Sequence, residues 1–160
     1  MKRVLDPVER VSEVIFGVLM AMTFIGALNV AEAGQGEARK VLIAALGCNI
    51  AWGLADAVMY IVGTLTERTR ERTRLTLDDY RGALGVFLLV TLSTVPLVVP
   101  FLIFGELGPA LLASRIVALA MLFLGGWMLA RHAGGKPWRW GFGLAATGAV
   151  LVAAIMALGG

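Results

Sequence analysis

The sequence predicts an all-α integral membrane protein with five transmembrane helices, and three observations carry that expectation. Hydrophobic residues make up 59% of the 160 and charged ones 16%, with a mean hydropathy of +0.84, a balance suited to lipid as solvent and too apolar for a soluble domain. Apolar runs recur at about 14–31, 41–63, 82–104, 110–130 and 141–158, each near the roughly 20 residues a helix needs to cross a bilayer. Lys and Arg then divide unevenly between the two sides those runs define. One side collects Lys2, Arg3, Arg10, Arg68, Arg70, Arg72, Arg74, Arg81, Arg131, Lys136 and Arg139, and the other only Arg39, Lys40 and Arg115. By the positive-inside rule the amino terminus is expected in the cytoplasm and the carboxy terminus outside or in a lumen.

Residues 1–13 read as a cytoplasmic amphipathic segment. Asp6 is placed as an N-cap, Pro7 as the first helical residue and Glu9 as the third position of a capping box. Residues 14–160 read as a single transmembrane domain. The first span follows a basic start and ends near Ala31-Glu32-Ala33, a signal-like pattern, but its apolar run exceeds the usual signal core and is expected to be retained. Glu32 to Lys40, with Gly34 and Gly36, is a short turn that makes the first two helices antiparallel neighbours.

The second span contains Asp56. Burying an unpaired carboxylate in hydrocarbon costs several kcal/mol, so an intramembrane Asp is a functional-site hypothesis with a partner to be found. The alternative is a protonated side chain that only joins helices. Cys48, Asn49, Trp52, Asp56, Met59 and Tyr60 follow at steps of three or four, which places the polar and soft side chains on one stripe. Residues 64–81 form a short charged cytoplasmic loop, whose first part extends the second helix into solvent. Thr76 and Asp79 there open the third helix with a capping box.

Pro96 and Pro100 remove two backbone donors from the third span, which predicts a kink relieved by Ser93 and Thr94. Arg115 is close enough to the outer end of the fourth span to snorkel. Trp138 and Trp140, in the basic turn before the fifth span, suit an aromatic belt.

Several function classes fall away at this stage. A lone Cys48 makes no intramolecular disulfide, and His132 is the single imidazole. No nucleophile-and-base pair or phosphate loop is visible, so the chain is not expected to be an enzyme or to hold a permanent cofactor. The basic residues flank apolar spans instead of alternating with aromatics, which speaks against nucleic acid. Asp56, Met20, Asn49, Glu13, Asn29 and Met59 remain as candidate ligands for a cation.

The order of spans, Ile15-Phe16-Gly17-Val18-Leu19-Met20, Val95-Pro96-Leu97-Val98-Val99-Pro100-Phe101 and the Gly-rich last two helices around Trp138 resemble the vacuolar iron transporter family. That resemblance implies a homodimer of five-helix protomers whose first helices line a path for ferrous or manganous ions exchanged against protons. The chain departs from the family pattern at three places. The first-helix acid falls on Met20 and the following glycine on Ala21. The second-helix Met and Glu fall on Ala55 and Met59, with the acid at Asp56 instead. The Glu-rich cytoplasmic insert is replaced by the 17 residues from Leu65 to Arg81. A transporter with Asp56 as its remaining intramembrane acid is therefore the expectation. A non-transporting relative, serving assembly or regulation on the same scaffold, is the alternative.

Overall fold

The structure, a computed structural model, describes residues 5–26 and 35–158. Asn29, Glu32, Ala27 and the two chain ends lie outside those residues. The elements are α1 (Pro7–Gly26), α2 (Gln35–Arg70), α3 (Leu77–Leu92), α4 (Val95–Ile103), α5 (Leu107–Ala133) and α6 (Pro137–Ala157). Among the described residues all regular structure is helical, and α2, the consecutive pair α3 and α4, α5 and α6 are each long and apolar enough to cross a membrane.

The amino-terminal segment and the first span are one helix. Asp6 N–H donates to Glu9 Oε2 at 2.8 Å, one half of the expected capping box, and Arg10 N–H returns to Asp6 O at 3.1 Å. Helix α2 already begins at Gln35, so the last part of the expected turn, with Gly36, lies inside it. The expected loop 64–81 likewise shrinks to residues 71–76. At 36 residues, α2 is about 54 Å long and outruns a bilayer core of about 30 Å, so its charged last turns project beyond the apolar run.

The turn into α3 is held by one carboxylate. Asp79 Oδ2 accepts from Thr76 N–H at 2.7 Å and from the Thr76 hydroxyl at 2.8 Å, while its Oδ1 takes Arg68 Nη2 at 3.0 Å. The end of α2 is thereby tied to the start of α3.

The proline kink appears as a break between α3 and α4. Pro96 has no N–H to offer and disfavours helix at the residue before it. The chain responds with a tightened turn in which Thr94 N–H bonds to Thr91 O and Leu97 N–H to Thr94 O. Ser93 Oγ donates to Val90 O at 2.7 Å, as expected for a hydroxyl relieving the kink. At the far end of α5, Gly134 takes φ +74°, the left-handed cap that glycine adopts without strain, and Pro137 opens α6.

Helix α1 is the central element. It packs against α2, α3, α4, α5 and α6, while α2 otherwise lies on α3, and α6 on α5. The core is built from its inner stripe, Val18, Ala21, Met22 and Ile25, with Leu97, Leu111, Ala118 and Leu122. Small residues set the helix separations. A methyl on Gly126 would meet the Trp140 carbonyl oxygen at 2.5 Å, and one on Gly17 would collide with the Ser93 side chain and with Val90 O. Gly17 and Ala21, small enough to let helices approach closely, are used inside the protomer.

Candidate functional site

Helix α2 carries its polar residues to two depths. At 3.6 residues per turn Asn49, Gly53, Asp56 and Tyr60 fall within a narrow arc, and that arc faces α1 and α3. Trp52 and Met59 lie about 40° and about 60° round from Asp56 and leave the interior. Trp52 is 44% exposed with its ring edge-on to Phe16 at 5.9 Å, and Met59 is 65% exposed. The single stripe read from sequence is thus split, and Met59 does not accompany Asp56.

At the deeper level Asn49 is fully buried. Its Nδ2 donates to Gly17 O at 2.9 Å and to the Thr94 hydroxyl, which joins α2 to α1 and to the break in the third crossing. The neighbouring contact has the same character, with a methyl on Gly53 falling 3.0 Å from Phe87 O and 3.1 Å from Thr91 Oγ1. Asn49 therefore works as a packing residue, two turns from Asp56.

At the shallower level an open groove runs along α1. Ser12, Glu13, Ile15, Phe16 and Leu19 form its floor, Asp56 one wall, and Leu129 of α5 with Leu144 of α6 the other, around a volume of about 470 Å³. Glu13 and Asp56 are both half-buried and line the same groove. Asp56 Oδ2 is buried with no hydrogen-bond partner among the described residues. Two carboxylates repel each other in an apolar groove, and their repulsion is relieved by a proton or by a bound cation.

The other candidate ligands do not gather here. Met20 is half-buried two turns along α1 from Glu13, with Thr23 Oγ1 donating back to its carbonyl at 2.7 Å. Asn29 lies outside the described residues. Among the described residues no group of three or more His, Cys, Asp or Glu comes together. The pairing of Glu13 with Asp56 was not readable from sequence, since it depends on the relative depth of two helices; what marked them was their being the acids nearest the apolar runs of α1 and α2. Arg115, expected to snorkel, is half-buried, and its Nε lies beside Met22, Ile25, Leu97 and Val152 with no partner among the described residues.

Comparison of the chain with family models, with curated proteins and with solved structures returns no match.

Proposed function

We propose that this protein carries divalent transition-metal ions, ferrous or manganous, across a membrane in exchange for protons, with the groove between Glu13 and Asp56 as the cation site. The observation that carries this reading is a buried Asp56 Oδ2 with no hydrogen-bond partner among the described residues, on a side chain that lines a groove also holding Glu13. Carboxylate oxygens suit Mn²⁺ and Fe²⁺ better than soft ions. An arriving cation favours the charged form of both acids and so releases protons, which is the linkage an antiporter needs. Two carboxylates are few for such an ion, and a symmetric homodimer meeting along the groove would bring four together. The proposed orientation has the amino terminus and the Arg68-to-Arg81 turn in the cytoplasm.

Proton and metal fluxes in liposomes containing the purified protein test the proposal. Asp56→Asn is expected to abolish metal-driven proton movement, and Glu13→Gln to reduce it at least tenfold, with both variants folded. Unchanged flux in Asp56→Asn would remove that residue from the mechanism. The second reading is a non-transporting scaffold on the same fold. It is favoured by the absence of a three-donor group among the described residues, and the parent protein would then show no flux with any divalent metal.

A further inference from the structure

At the end of the molecule opposite the Arg68–Asp79 pair, α2 and α4 diverge and leave a cleft open to the side. Its inner part, of about 290 Å³, is lined by Leu42, Ile43, Leu46, Val95, Val98 and Leu102, with Arg39 at the rim. A second space of about 470 Å³ continues from Arg39, Leu42 and Leu102 past Phe101 and Phe104 to Glu106 at the start of α5. From Arg39 to Leu46 the α2 wall extends about 10 Å along the helix, all of it apolar below the rim.

Arg39 and Glu106 line the same space, and both are exposed. Among the described residues they form no ion pair with each other or with any other side chain, the pairs present being Arg68–Asp79 and Arg81–Asp78. A cation and an anion that line one space without pairing to each other, beside an apolar slot, match a zwitterionic amphiphile. We propose that the cleft binds one phospholipid with an ethanolamine headgroup. One acyl chain lies between α2 and α4, the phosphate bonds to the Arg39 guanidinium, and the ammonium pairs with the Glu106 carboxylate.

The charges give the selectivity. A guanidinium holds phosphate oxygens through two parallel N–H bonds. A phosphatidylglycerol headgroup satisfies Arg39 but leaves Glu106 facing an uncharged glycerol. The apolar slot, within the volume range of small-molecule pockets, supplies the binding area. The soluble headgroup alone, glycerophosphoethanolamine, lacks the chain and is expected not to bind.

The test uses the full chain in a mild detergent, titrated with phosphatidylethanolamine or phosphatidylglycerol of identical chains, with bound lipid counted by native mass spectrometry. One phosphatidylethanolamine per chain is expected, held at least tenfold more tightly than phosphatidylglycerol. Arg39→Ala should weaken both lipids at least tenfold, Glu106→Gln should erase the preference while leaving binding, and Leu102→Trp should fill the cleft and remove the lipid. All three positions are exposed, so these variants are expected to retain helical content and thermal stability, checked alongside. Equal retention of the two lipids by the parent chain would mean ordinary solvation by bilayer and overturn the proposal. So would unchanged binding in Arg39→Ala, or a Leu102→Trp change that splits a dimer, which would make the cleft a contact between copies.

Discussion

Asn49 and Asp56 are polar residues on one face of one helix, and their neighbours give them different work. The Asn49 amide has both donors placed, on Gly17 O and on Thr94 Oγ1, at a junction of three helices, while its Oδ1 is buried with no partner among the described residues. Interhelical hydrogen bonds of this kind contribute about 1–2 kcal/mol at most in a membrane, because the separated helices find other partners. Asn49→Ala is therefore expected to lower stability by about 1–2 kcal/mol, read as a lower midpoint of unfolding in detergent, and to leave any metal-driven flux unchanged once folded. Loss of flux with full stability would place Asn49 on the ion path instead. Asp56→Asn should behave in the opposite way, with flux lost and folding kept. The carboxylate in an apolar run was visible in sequence; the depth of Glu13 beside it was not, because only the packing of α1 against α2 sets that register.

At the scale of elements, the capping chemistry was the most legible feature. Asp6-Pro7-x-Glu9 and Thr76-x-x-Asp79 are local patterns; the second closes as a full capping box and the first by one of its two bonds. The third crossing was legible in kind and in place, since two prolines four apart require a disturbed ladder that Ser93 and Thr94 stand ready to relieve; the Asn49 bond that reaches Thr94 from α2 was not. The split of the α2 stripe was illegible for a related reason: stepping by three or four covers a wide arc, and only packing against α1 and α3 shows which half is inside.

The α2–α3 turn also has a pH signature. Asp79 lies before the apolar run of the third span, and the Thr76 N–H, then the Arg68 guanidinium and the Thr76 hydroxyl, hold its carboxyl below the usual carboxylate range. A carboxyl depressed in the folded state contributes stability that is complete above its unfolded pKa of about 4 and is lost as pH falls through the lower, folded value. Thermal unfolding of the parent chain should fall as pH drops below about 4, and Asp79→Asn should start lower and show a flatter acid limb. Parallel curves for the two proteins would show that the turn does not couple to folding.

For the whole molecule, the central place of α1 decides how two copies are able to meet. Four of its sides are covered by α2, α3 with α4, α5 and α6, and its small residues Gly17 and Ala21 are consumed by those contacts. What remains open on α1 is the groove side, where Phe16 is exposed and Leu19, Met20 and Thr23 are half-buried. A homodimer that places Glu13 and Asp56 of both protomers around one cation has to form there, with the flanks of α2 and α6 completing the contact. In a Cys48→Ser background, Phe16→Cys and Met20→Cys are therefore expected to join two chains by a disulfide in native membranes, whereas Leu102→Cys, on the opposite side of α2, is not. Linking at Leu102 with none at Phe16 or Met20 would place the dimer on the α2–α4 side. The carboxylate groove would then face lipid as a two-acid site in each separate protomer, too poor in ligands for the proposed exchange.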